Sequence, residues 1–186
     1  MKFAAWFASI ALAMLSALWV PQIVHAQEWP ARQPIRFVVV YPPGGASDVT
    51  ARLLAAKLTE TLGQSVVVEN RPGASGNIAA EYVYKSPPDG YTLLIGTNGT
   101  HGINASLFPK LPYDTLNDFA PIGRIGFAPY VLVAHPSLPV RTAKDLIQLA
   151  KGAPGQIACA SGGSPSQLSC ALFKSLAKID LLMIPY

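Results

Sequence analysis

Residues 35–48, Ile35-Arg36-Phe37-Val38-Val39-Val40-Tyr41-Pro42-Pro43-Gly44-Gly45-Ala46-Ser47-Asp48, decide the fold. A nearly unbroken β-branched and aromatic run suits a strand buried on both faces, as parallel sheets require. Pro42-Pro43-Gly44-Gly45 then turns the chain. A helix is expected from about Ser47 to Leu62, with Val49, Leu53, Leu54, Leu58 and Leu62 on its apolar stripe and Gly63 as its stop. The unit then repeats. Ser65 to Glu69 reads as a second strand, Arg71 to Gly76 as a turn and Asn77 to about Lys85 as a helix. Pro87-Pro88-Asp89-Gly90 ends that helix, and Tyr91 to Ile95 reads as a third strand. Strand and helix alternating in this way specify an α/β fold with a parallel sheet and right-handed crossovers.

The texture changes after Gly96. Residues 96–104 are small and polar, and Pro109 to Asp118 is loop-like. Phe119 to Ile125 and Tyr130 to Ala134 read as two extended segments that carry the chain from a first lobe (27–126) to a second (127–186). The second lobe opens with a helix from Thr142 to Lys151, capped by the Thr142-Ala143-Lys144-Asp145 pattern and stopped by Gly152. Strand Gln156–Ala160 follows, then the loop Ser161-Gly162-Gly163. Ser164 is expected as the next N-cap, with Pro165 at the first helical position and Gln167 three residues after the cap. That helix runs to about Ala177, and Asp180 to Ile184 begins another strand. The sixty residues from 127 to 186 lie near the lower limit for an independent core. The second lobe therefore reads as incomplete.

Of the 186 residues, 51% are apolar and only 13% charged, which excludes a disordered tail, and 17 Pro with 15 Gly exclude a coiled coil. The 14 Lys and Arg are scattered singly, without the basic stripe that phosphate neutralisation needs, so nucleic acid is not an expected partner. Residues 1–26 have the form of a secretory signal peptide. Lys2 is followed by an uncharged stretch from Phe3 to Val20, Pro21 breaks it, and Val24-His25-Ala26 places cleavage after Ala26. An uncleaved anchor is the alternative, because eighteen apolar residues nearly span a bilayer. Export makes Cys159 and Cys170 candidates for a disulfide, yet two free, partly buried thiols are the expectation. No C-x-x-C or H-x-x-x-H pattern occurs, so neither a metal nor a cofactor is expected.

Three segments share one design, an apolar strand, a Gly-rich turn and a helix start. They are Tyr41 to Asp48, Gly96-Thr97-Asn98-Gly99-Thr100-His101, and Ser161-Gly162-Gly163-Ser164-Pro165-Ser166. In a parallel sheet such loops gather at the carboxyl edge, where ligands bind. Backbone N–H groups at a helix start carry about half a positive charge. The expectation is an anion pocket, for a carboxylate, built from neutral donors. The plainer alternative is three ordinary turns, with Ser47 and Ser164 capping their own helices. Nucleotide signatures are missing, since neither G-x-G-x-x-G after the first strand nor G-x-x-x-x-G-K-[ST] occurs. A hydrolase lacks the G-x-S-x-G elbow and would rest on His101 as base for Ser47, with Asp48 or Asp118 behind it.

Four strings resemble one family: Pro42 to Asp48, Val67-Val68-Glu69-Asn70-Arg71-Pro72-Gly73-Ala74-Ser75-Gly76-Asn77, Pro88-Asp89-Gly90-Tyr91-Thr92-Leu93-Leu94, and Leu111-Pro112-Tyr113-Asp114. They are similar to the Bug-type receptors of tripartite tricarboxylate transporters, from about Trp29 to Tyr186. The resemblance implies a periplasmic-binding-protein fold of type II, two doubly wound lobes closing on a small organic acid, and delivery of that acid to integral-membrane permease subunits. It also implies a monomer in the periplasm without catalytic residues. Carried over by position, the first-lobe ligand residues would be Pro43, Gly44, Gly45, Ala46, Ser47 and Asp48, then Thr97, Asn98, Gly99, Thr100 and His101, with Asn104 nearby. Ser161, Ser164 and Ser166 would meet the other end of the ligand. The chain departs from the family pattern in having Gln167 where His is common, in a shorter serine-rich loop, and in a much smaller second lobe. Two other readings stay open: a truncated remnant that folds poorly, and an exported hydrolase.

Overall fold

The computed structural model describes residues 28–185, so the expected signal peptide (1–26) lies outside the described residues. The first sheet has the order β2-β1-β3, all parallel, from β1 (Ile35–Val39), β2 (Val66–Asn70) and β3 (Thr92–Ile95). Ile35 lies beside Val66, and Phe37 lies beside both Val68 and Leu93. Helix α1 (Ala46–Leu62) joins β1 to β2, and α2 (Asn77–Tyr84) joins β2 to β3. The apolar run of β1, broken only by the exposed Arg36, follows from its central place in the sheet. Phe37 and Val39 pack with Ala51 and Ala55 of α1, while Val38 and Val40 pack on the opposite face with Ala79 of α2. Both faces are covered, as the run required.

The stripe of α1 differs from the expectation. Val49 and Leu53 are 51% and 70% exposed, whereas Asp48, Ala51 and Ala55 are buried, with Leu54 and Leu58 packed beside them. Two forces set that rotation. Alanines let the helix approach the sheet closely, and the buried Asp48 carboxylate is satisfied by Gly44 N, Asn70 and Arg52. Gly63 ends α1 in the left-handed region (φ 64), its N–H donating to Thr59 O.

The second sheet pairs β4 (Ala158–Ser161) with β5 (Leu182–Pro185), again parallel, with Cys159 beside Met183. Helices α4 (Ala143–Gly152) and α5 (Ser164–Ala177) pack against it through Ala150, Cys170, Ile179 and Leu181. A one-turn helix, α3 (Asn104–Leu107), precedes them. Each expected strand and helix of the two sheets forms, with ends shifted by one or two residues. The extended segments 119–125 and 130–134 differ, for neither pairs with a strand among the described residues. Ile122, Phe127, Val131 and Val133 are more than three-quarters exposed. An apolar run becomes a strand only where a sheet edge accepts its backbone bonds, and neither sheet takes these residues.

The thiols also depart from the expectation. Cys159 and Cys170 form a disulfide, with Cα atoms 6.7 Å apart. The chain leaves β4, turns at 161–163 and returns as α5 over the strand it left. Eleven residues of sequence therefore collapse to a spacing a disulfide can span.

Candidate functional site

All three Gly-rich loops lie at the carboxyl ends of their strands, after β1, β3 and β4. Asp48 anchors the first. Its carboxylate accepts from Gly44 N (2.9 Å), from Arg52 Nε (3.0 Å) and Nη2 (2.9 Å), and from Asn70 Nδ2 (2.9 Å). The Arg52 guanidinium first, then the Gly44 amide and Asn70, hold its pKa down to about 2. Asp48 therefore shapes the loop with a carboxylate already occupied by four donors. Above it Pro43, Gly44, Gly45 and Ala46 are exposed and Ser47 is half-buried. Gly45 is the N-cap of α1 and no side chain caps that helix. The amides that open α1 thus face outward unclaimed by a cap.

The second loop runs into a π-helical turn, Gly99–Ile103, and α3. Thr97 N donates to Thr100 Oγ1 (3.0 Å), and that hydroxyl pairs with His101 Nδ1 (2.8 Å). The His101 ring also packs edge-on to Phe119, with centroids 4.8 Å apart, and burial pushes its pKa down. The neutral imidazole is thus tied to Thr100, and Asp118 accepts from the amide of Asp114 at 2.6 Å. These bonds do not assemble the relay through Ser47 that a hydrolase would use. Asn98 is exposed, whereas Gly99, Thr100 and Asn104 are buried.

In the third loop the N-cap is Gly163 rather than Ser164, which opens the helix itself, followed by Pro165. The reason is tertiary. Gly163 sits at φ 149, where a side chain is strained, and Ser164 Oγ donates across to Asn104 Oδ1 instead of capping. Ser166 Oγ donates back to Gly163 O (3.0 Å), and Ser161 is buried at the strand end.

The loops of the two sheets meet here. A Cβ on Gly99 would lie 3.2 Å from the Pro165 ring, and one on Gly163 would lie 3.3 Å from Tyr41. Beneath them runs a polar network in which the expected residues Thr100, Asn104 and Ser164 are joined by three that were not expected, Ser75, Asn77 and Tyr113. Asn104 Nδ2 donates to Asn77 Oδ1 (2.6 Å) and Ser75 O (3.1 Å). The Tyr113 hydroxyl stands 2.8 Å from Asn77 Oδ1 and 2.9 Å from Thr100 O. Ser75, Asn77 and Tyr113 were present in the strings that carried the family resemblance, which was their only signal. An open hollow of about 530 Å³ is lined by Phe108, Leu111 and Tyr113 among others, none of them a residue of the three loops. Its lining includes Asp114 and Asp118, a sign of charge unsuited to an anion.

This geometry of strand-end loops can be set beside known proteins. The family model of the tripartite tricarboxylate transporter family receptor, TctC, matches residues 50–186. The chain belongs to the TctC family. Among curated TctC relatives, protein BugT of Bordetella pertussis is 42% identical over 166 residues, which cover 88% of this chain and 51% of BugT. Among solved structures, Rpa4515 of R. palustris with adipate superposes with a TM-score of 0.75 at 39% identity, over 86% of this chain and 54% of that one. MatC from Rhodopseudomonas palustris with bound malate gives 0.78 at 34% identity, over 84% and 54%. The chain spans about half the length of the curated TctC relatives it matches. The mixed α/β architecture with parallel sheets is that of TctC-type periplasmic binding proteins.

Proposed function

We propose that the protein is an extracytoplasmic solute-binding receptor that captures a small carboxylate and delivers it to a tripartite tricarboxylate-type permease. The observation that carries this reading is the meeting of strand-end loops from both sheets, where the starts of α1 and α5 lack side-chain caps. Backbone amides there can bind a carboxylate without a charged side chain, each helix end adding about 0.3–2 kcal/mol. The exposed and half-buried members of the set, Pro43 to Ser47, Thr97, Asn98, His101 and Ser166, are the proposed contacts. Malate and adipate in two solved relatives support an organic acid as ligand. The division at about residue 126, export after Ala26, a periplasmic location and a monomeric, non-catalytic role belong to the same reading.

Isothermal titration of the exported chain against malate, adipate and citrate tests it. Saturable binding of at least one acid at one site per chain is the expected result. A protein that melts cooperatively and gives no heat with any of the three would overturn the reading.

A further inference from the structure

Three consecutive residues at the start of α5 each touch a different first-sheet element. Gly163 lies against Tyr41 beyond β1, Ser164 donates to Asn104 of α3, and Pro165 lies against Gly99 of the π turn. Ser164 and Asn104 are both fully buried. All the hydrogen-bonding capacity evident in the Asn104 amide is directed within the protein. Its two N–H bonds go to Ser75 O and Asn77 Oδ1, and its oxygen accepts from Ser164. The connecting segment 119–134 pairs with neither sheet, and although Phe119 packs on His101 and Tyr113, no strand pairing within it sets the spacing of the sheets. The constraint has to come from elsewhere.

We infer that Asn104 and Ser164 are positioning residues rather than ligand contacts: their hydrogen bond pins the start of α5 to the first-sheet network and sets the span across which the acid is held. A fixed span discriminates by ligand length, because a rigid pair of amide clusters matches one separation of carboxylates. The consequence for the acid rests on the receptor reading. The pin itself does not.

The test uses nitroxide labels on the full exported chain, at Thr61→Cys on α1 and Lys151→Cys on α4, both exposed. Electron–electron double resonance reads the distance between the sheets. The parent chain should give one narrow distance. Ser164→Ala, and independently Asn104→Ala, should broaden it or shift it by at least a hydrogen-bond length, about 3 Å. Tyr113→Phe removes a bond from the same network without crossing between sheets, and should leave the distance unchanged even if the melting temperature falls. A broad parent distribution, or an unchanged one in Ser164→Ala, overturns the pin. Malate and adipate titrations accompany it. Ser164→Ala should lose about tenfold in affinity for the preferred acid and narrow the preference between the two. Equal affinities and an unchanged preference would overturn the positioning role, whereas a parent chain that binds neither acid overturns the receptor reading while the distances still decide the pin.

Discussion

Helices α4 and α5 open in opposite ways. At α4, Thr142 Oγ1 accepts from Asp145 N (3.2 Å) while Asp145 Oδ2 accepts from Thr142 N (2.9 Å) and Arg141 N (3.0 Å). That end closes on itself, and the bonds, led by the Arg141 amide, hold the Asp145 carboxyl below its usual range. At α5 the N-cap is a glycine, and the serine after it reaches to another element. Helix α1 resembles α5, with Gly45 as an N-cap that offers no side chain. A helix end left without its own cap retains amides for something else. Helix α2, with Gly76 as its N-cap, is open in the same way, but α1 and α5 are open directly after strand-end loops that approach each other at Gly163 and Tyr41. The stabilisation forgone at such an end is about 1 kcal/mol relative to Ser, Thr or Asp capping in favourable cases, and a few tenths for glycine.

The largest effect on this contrast is expected at Asp48, which shapes the loop before α1. Asp48→Asn keeps the size but cannot accept from all four donors, so the melting temperature should fall at neutral pH. Because the folded pKa is depressed, the native contribution is fully present above the ordinary 3.8 and is lost as pH falls toward about 2. Melting curves of the two proteins should therefore converge across that window. A gap that persists at pH 2 would mean that the carboxylate is not the source.

Next in size is the Cys159–Cys170 disulfide, which ties β4 to α5 on either side of the uncapped loop. Reduction, or the double change to Ala, should cost about 2–4 kcal/mol in a denaturant titration. An unchanged midpoint would show that packing alone seats α5. Smallest is a paired exchange of caps. Gly45 has φ −79 and ψ 170, and a Cβ there meets only Pro42 O at 3.9 Å, so Gly45→Asp fits and should supply the missing cap. It should raise stability by a few tenths of a kcal/mol. It should also weaken malate or adipate binding about tenfold, since the new carboxylate takes the amides and repels the ligand. Thr142→Ala at the closed end should do the reverse, losing about 1 kcal/mol of stability with affinity untouched. Equal effects of both changes on binding would dissolve the distinction between the two kinds of helix end.

How far these features were legible depended on whether their cause was local. The Thr142 capping box, the Gly63 stop and the β1 run rest on neighbours in sequence, and all formed as read. The face of α1 did not, because large apolar residues suggested Val49 and Leu53 while Asp48, Ala51 and Ala55 had the better partners. The disulfide had no local signal, because eleven residues of separation say nothing about a chain that doubles back. The three loops were identified from glycine and serine spacing alone. That Asn104 and Ser164 face one another, sixty residues apart, had no local signal.

Alternation of strands, Gly-rich turns and helices determined by itself that this protein is a parallel α/β structure with loops gathered at strand ends, because each of those choices is made by residues within a few positions of one another. Which loops touch, which serine crosses between sheets instead of capping its helix, and which carboxylate is consumed inside the protein were decided only by tertiary structure. Buried polar atoms must find partners wherever packing leaves them, and those partners lie far away along the chain.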